Sequence, residues 1–196
     1  GTVNEDGPGI VVDVLANDSD VDASDVLTIV SIDTSGTDGT AAIVNGQISY
    51  DPAGAFESLA VGETALDTLT YTVSDGHGGT AMATVIITVN GQNDSPDAVD
   101  DTGHANEDGP GVAIDVLAND SDVDGDAISL ISVDTSGLIG TATIANGAIV
   151  YDADGQFEPL AVGETALDTL TYTINDEHGA SSVATLTVVV HGQNDA

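Results

Sequence analysis

The sequence predicts an all-β protein built of two tandem Greek-key β-sandwich domains. Three observations predict it. The chain repeats itself once at the spacing of a whole domain, its apolar residues alternate with polar ones, and turn residues recur between short apolar runs.

The repeat is explicit. Asn4-Glu5-Asp6-Gly7-Pro8-Gly9 returns at Asn106 to Gly111, and Asp13 to Asp22 returns unchanged at Asp115 to Asp124. Val61 to Thr72 returns at Val162 to Thr173, and Gly91-Gln92-Asn93-Asp94 returns at Gly192 to Asp195. The offset is 102 residues before the Asp-rich loop (4 to 106) and 101 after it (61 to 162), so one residue is lost there. A period of about 100 residues is one domain per copy, far longer than a solenoid turn. The expected domains are 1–94 and 95–196. Asp97 to Thr102 precede the second copy but have no counterpart before Gly1. The expectation is therefore a monomeric fragment of a longer array, with the first strand of copy 1 truncated.

Each copy reads as strands. Leu69, Tyr71 and Val73 alternate with Thr70, Thr72 and Ser74, the period of a half-buried strand. Ala81, Ala83, Val85, Ile87 and Val89 predict one face of the last strand. Further strands fit Ile10 to Leu15, Leu27 to Asp33, Thr40 to Val44 and Gln47 to Tyr50. Asn45-Gly46 and Asn146-Gly147 separate two of them, the strongest short hairpin signal. Phe56 to Leu59 suits a single helical turn. About seven short strands per copy is an immunoglobulin-like sandwich pattern. Tyr71 and Tyr172 fit either a tyrosine corner or plain core packing.

Charge narrows the function classes. The 196 residues include no Lys or Arg and 34 acids, 27 Asp and 7 Glu, for a formal charge of −34. Asp favours turns and chelating loops, so the skew towards it is informative. Self-repulsion at this charge opposes compaction. Yet 41% of residues are apolar, which excludes compositional disorder. Partial neutralisation by divalent cations reconciles the two. The charge excludes nucleic acid as a partner and direct contact with an anionic membrane surface. The absence of Cys excludes disulfides and thiolate metal sites.

The chemistry concentrates in Asn17-Asp18-Ser19-Asp20-Val21-Asp22 and in Asn119 to Asp126. Carboxylates at alternate positions of a turn can curl around one point, and calcium takes six to eight hard oxygens at flexible geometry. Oxygen-only donors disfavour zinc and copper. A solvated acidic turn is the bland alternative, but so many close like charges destabilise one another without a cation. His77, His178, His104 and His191 read as exposed polar residues rather than zinc ligands. The Asn-Asp-Ser triplets match a glycosylation acceptor pattern, but their Asp is better used on metal. Paired carboxylates also suit a glycosidase. Their symmetric recurrence at loop ends, with six aromatic residues in all and no Trp, fits a structural role and no enzyme.

Together these motifs resemble the cadherin-like tandem repeats of bacterial surface proteins, the VCBS and RTX-adhesin type. Asn-Glu-Asp-Gly-Pro, the Val-Leu-Ala-Asn-Asp-Ser-Asp-Val-Asp loop, Leu-Thr-Tyr-Thr-Val-Ser-Asp-Gly-His-Gly-Gly and the closing Asn-Asp-Ser-Pro carry the resemblance. It implies an extracellular module on a bacterial cell surface, with calcium held between successive repeats of the same polypeptide. The cadherin Pro-Glu-Asn motif is similar to Asn4-Glu5-Asp6, which implies Glu5 as a ligand. Position alone implies Glu63. The cadherin linker resembles Asn93-Asp94-Ser95-Pro96, though one residue shorter, which implies Asn93, Asp94 and Asp97. The Asp-x-Asp loop resembles Asp120, Asp122 and Asp124, and the final Asp-x-Gly resembles Asp176. In a sandwich alternate loops lie at opposite ends, so Asp18, Asp20, Asp22 and Asp75 are expected to face a preceding repeat. The implied function is a calcium-rigidified extender of a large adhesin, presenting a distant binding domain in settings such as biofilm. The rival is a calcium-dependent carbohydrate-binding or adhesive module with surface glycans as partners.

Overall fold

A computed structural model describes residues 1–22 and 24–194; Asp195 and Ala196, the end of the second expected domain, lie outside them. The chain divides into two compact units, Gly1–Asn93 and a second that begins at Asp94. Each is nearly all-β, with no α-helix among the described residues.

Unit 1 contains β1 (Thr2–Asn4), β2 (Ile10–Val12), β3 (Thr28–Asp33), β4 (Thr40–Val44), β5 (Gln47–Asp51), β6 (Thr64–Ser74) and β7 (Thr80–Asn90). One sheet has the order β1-β7-β6-β3 and the other β2-β5-β4. Unit 2 repeats this with β8 (Asp101–Asn106), β9 (Val112–Ile114), β10 (Ser129–Asp134), β11 (Thr141–Ala145), β12 (Ala148–Asp152), β13 (Thr165–Asn175) and β14 (Ser181–His191). Its sheets are β10-β13-β14-β8 and β11-β12-β9. In both units the first strand pairs parallel to the last, and the other pairings are antiparallel.

The hairpins form where the Asn-Gly pairs stand. Asn45 and Gly46 lie at φ 50° and 79°, and Asn146 and Gly147 at 52° and 79°. Two successive positive φ values match the right-handed twist of the strands they join. Between the two sheets of unit 1, Ile48 and Tyr50 of β5 pack with Leu69, Tyr71 and Val73 of β6 and Val85, Ile87 and Val89 of β7. Unit 2 buries Ile149, Tyr151, Leu170, Tyr172, Ile174, Leu186, Val188 and Val190 in the same way. Complete burial of a side chain of this size stabilises by about 1.5–3 kcal/mol.

One expectation is corrected and two are refined. The strand from Ile10 stops at Val12, and Val14–Asn17 forms a 3-10 turn. The reason is the partner: β2 pairs Val12 with Ile48, and β5 begins at Gln47, directly after the hairpin. Almost nothing remains for residues beyond Asp13 to pair with. Secondly, Ala81 and Ala83 are exposed, and only Val85, Ile87 and Val89 of that face are buried. Three-residue β1 covers Thr88 to Asn90 alone, whereas six-residue β8 pairs from Leu186 onward and Ala184 is buried. Thirdly, Phe56 to Leu59 closes a single hydrogen-bonded turn, Leu59 N–H to Phe56 O at 3.0 Å, in keeping with the one turn expected there.

Alternation also carries a charge inward. Asp67 shares a face with Leu69, Tyr71 and Val73 and is 1% exposed, while Leu66 beside it is 67% exposed. The Asp67 carboxylate accepts hydrogen bonds from Tyr50 O–H (2.6 Å), Gly39 N–H (2.9 Å), Asp38 N–H (3.1 Å) and Thr68 N–H (2.8 Å). Burial works to raise its pKa, and these four donors more than offset it, so the carboxyl lies below its ordinary value. Asp168 repeats the arrangement with Tyr151, Ile139, Gly140 and Thr169.

The phenol groups of the penultimate strands are tied down as well. Tyr71 O–H donates to Asp18 at 2.9 Å, and Tyr172 O–H to Asp101 at 2.8 Å. The rings are core and the hydroxyls bond groups far away in sequence, not backbone a few residues upstream, so the core-packing reading holds and no tyrosine corner forms at either position.

Candidate metal centre

In unit 2 the acidic loop is anchored before it turns. Asp97 and Ser121 form a two-way backbone bridge, with N–H to O distances of 2.7 and 3.2 Å. Asp120 Oδ1 accepts Val99 N–H at 2.8 Å. Asp122 Oδ1 accepts Asp124 N–H at 2.9 Å and Asp126 N–H at 3.4 Å, curling the loop around its own side chain. Gly125, at φ 78°, supplies the left-handed residue that turn requires. Asp124 Oδ2 accepts Asp94 N–H at 2.9 Å.

Each of these carboxylates spends one oxygen on holding the loop and directs the other inward. Asp120 Oδ2, Asp122 Oδ2 and Asp124 Oδ1 are buried and have no hydrogen-bond partner among the described residues. Oxygens of Asp122, Asp124 and Asp126 lie within 4.8 Å of one another. Two ligands of one calcium are at most about 5 Å apart, twice the metal–oxygen distance. A buried carboxylate oxygen without a donor is costly, and a hard divalent cation removes the cost. The residues therefore fit calcium.

Asp176 is 2% exposed, its Oδ1 accepting the N–H groups of His178, Gly179 and Ala180. His178 Nδ1 is 2.6 Å from Asp126 Oδ2, and that bond raises the imidazole pKa.

Unit 1 presents a related but different set. Oxygens of Asp20, Asp25 and Asp75 lie within 4.8 Å of one another. Asp18 is engaged by Tyr71, and Asp22 is exposed, its N–H donating to Asp20 Oδ1 at 2.8 Å. A cleft of about 290 Å³ opens between Asp18, Asp20, Leu27, Val73, Asp75 and Ala81. Asp75 lies below its ordinary pKa, chiefly because it accepts the His77 N–H.

The opposite end of each unit carries a buried Glu. Glu5 is 3% exposed and its Oε1 accepts Gln92 N–H at 2.6 Å. Glu107 is 2% exposed and its Oε1 accepts Gln193 N–H at 2.6 Å, while its buried Oε2 has no partner among the described residues. The Gly-Gln pair explains itself here. A Cβ on Gly91 would collide with the carbonyl oxygens of Leu59 and Ala60, and the following N–H clamps Glu5.

Within unit 2 the structure brings oxygens of Asp122 and Asp124 together and puts the Asp94 N–H on Asp124, while Asp120 is bonded to Val99 and the Asp97 backbone is bridged to Ser121. It leaves the side chains of Glu63 and Asp97 exposed, and Asn93 half-buried. Sequence reasoning passed over Asp25 and Glu107, and placed Asp126 in the acidic loop without naming it as a ligand. Each was signalled by the repeat: Glu107 stands where Glu5 does, and Asp25 and Asp126 align once the lost residue is allowed for. It also passed over Asp6 and Glu57, whose carboxylates lie within 4.8 Å of each other.

Solved structures similar to this chain include cadherin repeats. Human protocadherin-24 EC1-2 is 20% identical with a TM-score of 0.51, over 89% of this chain and 86% of that one. Mouse cadherin-23 EC22-24 is 18% identical with a TM-score of 0.51, over 100% and 62%. Drosophila N-cadherin EC1-4 is 19% identical with a TM-score of 0.51, over 98% and 47%. At these identities the likeness is one of fold. No curated protein matches the chain significantly in sequence. The model of the bacterial cadherin-like domain matches residues 1–91 and again residues 93–192. The chain belongs to the bacterial cadherin-like domain family and carries two copies of that domain.

Proposed function

We propose that this pair of domains is a calcium-binding structural repeat of a large bacterial surface adhesin, and that calcium at the junction stiffens the chain. The observation that carries this reading is the set of buried oxygens of Asp120, Asp122 and Asp124 that lack a hydrogen-bond donor, in a chain with no Lys or Arg to neutralise them. Those residues follow the linker Asn93-Asp94-Ser95-Pro96, and Asp94 is held by Asp124. Glu5 would complete the set from the first repeat. Ion binding at such a place would couple the two repeats by drawing ligands from both. It also couples folding to the calcium concentration, since only the folded chain collects the ligands.

The module serves an extracellular, load-bearing role and not a catalytic one: its acids recur at loop ends and are committed to holding backbone. Membership of a cadherin-like family supports the extracellular setting. A chelator titration is the test. Calcium is expected to raise the melting temperature and to lengthen the particle in X-ray scattering. If both are unchanged between millimolar calcium and EDTA, the reading fails.

A further inference from the structure

Unit 2 has a second constellation, remote from the acidic loop. His104 of β8 and His191 at the end of β14 stand on the outer face of the four-stranded sheet. His104 Nδ1 lies 3.2 Å from His191 Nε2. The rings are 5.4 Å apart between centroids and inclined at 25°. In the parallel register His104 pairs with Val189 and His191 with Asn106, so the histidines are diagonal neighbours on one face. One imidazole donates N–H to the bare nitrogen of the other.

Two imidazole nitrogens on one ion, each at about 2.0–2.1 Å, are separated by about 2.9 Å at a right angle and about 3.4 Å at the tetrahedral angle. The observed 3.2 Å falls between these limits. We propose that His104 and His191 form a bidentate site for a borderline divalent transition ion: copper(II), nickel(II) or zinc. Imidazole suits these ions, whereas the carboxylate loops suit calcium. Binding needs only that the bridging proton move to the other nitrogen of its own ring, which leaves both facing lone pairs for the metal.

The surroundings are consistent with an open coordination sphere. β8 is an edge strand and His104 is exposed on it. A cleft of about 220 Å³ lined by His104, Asn106, Val112 and His191 leaves room for water ligands. The charge of −34 concentrates cations around the chain. Unit 1 has Thr2 and Asn90 at the equivalent positions, so the pair belongs to the second repeat alone.

The test uses the whole chain saturated with calcium, so that the acidic loops are already filled. Copper(II) and then zinc are titrated in by calorimetry, and histidine ring signals are followed by NMR. One ion per chain is expected, copper binding more tightly than zinc, with His104 and His191 signals broadened before those of His77 and His178. His104→Thr and His191→Asn borrow the residues of unit 1, and each should weaken binding about tenfold or more with an unchanged melting temperature. Unchanged affinity in both variants, first broadening at His77 or His178, or no binding to the calcium-loaded chain would each overturn the proposal.

Discussion

Tyr50 donates a 2.6 Å hydrogen bond to the carboxylate of Asp67, which is 1% exposed within the first sandwich. The pairing of Tyr151 with Asp168 at 2.8 Å repeats it in the second. Between them, each tyrosine and aspartate tie the loop before the central hairpin to the penultimate strand, through the N–H groups of Gly39 and Gly140.

Removing the acceptor is expected to cost more than removing the phenol. Asp67→Ala strands Tyr50 O–H and two loop N–H groups, for a loss of about 3 kcal/mol or more, since each buried donor left unpaired costs about 1–3 kcal/mol. Tyr50→Phe leaves Asp67 with its backbone donors and should cost about 1–2 kcal/mol. Urea unfolding of the two variants in calcium measures both; equal losses would show that Tyr50 is the only partner that matters.

Acid should weaken the first sandwich through the same group. The folded carboxyl of Asp67 lies below its ordinary value of 3.8. Its contribution is therefore fully present above that value and is lost as pH falls from about 4 through the lower folded pKa. Melting temperatures from pH 6 down to pH 2, compared with Asp67→Asn, isolate the term: the variant should show the shallower acid slope.

Calcium affinity should depend on the second oxygen of each loop carboxylate. Asp122→Asn keeps an acceptor for the Asp124 and Asp126 N–H groups but removes a charge from the ion, so affinity should fall about tenfold or more with the calcium-free fold intact. Calorimetric titration reads the affinity and circular dichroism in EDTA reads the fold. Loss of the calcium-free fold would instead assign Asp122 to loop structure alone.

Two glycine substitutions should separate close approach from backbone conformation. Gly46→Ala meets nothing within 4 Å and bears only the strain of φ 79°, about 1–2 kcal/mol. Gly91→Ala drives a methyl into the backbone oxygens of Leu59 and Ala60 and displaces the Gln92 clamp on Glu5. It should be the more damaging in thermal melts, and calcium should recover less of the loss.

Local signals were enough for the architecture. The Asn-Gly turns, the alternation around Tyr71 and the doubled motifs identify strands, hairpins and domain count because each rests on short-range sterics or on the repeat. Strand ends were less legible. Ile10 to Val12 stops where β5 has no more partners, which is a property of another strand. Ala83 is exposed and Ala184 buried for a similar reason: the length of the neighbouring parallel strand decides it. The inward Asp67 was implied by the alternation of β6 but hidden by its polarity, since its four donors come from elsewhere in the fold. In the acidic loops the residue types were plain. Which carboxylates converge depends on Gly125 and on the one-residue difference between the copies, so Asp126 joins Asp122 and Asp124 in one repeat while Asp25 joins Asp20 and Asp75 in the other.

The parallel pairing of β8 with β14 has a mechanical consequence. Because the first and last strands of the domain run side by side in the same direction, the chain enters at one end of the ladder and leaves at the other. Tension between the two ends then acts along the strands, so that the rungs from Leu186↔Asp101 to His191↔Asn106 are strained together in shear and cannot be peeled open one by one. The domain yields only when the whole ladder slips.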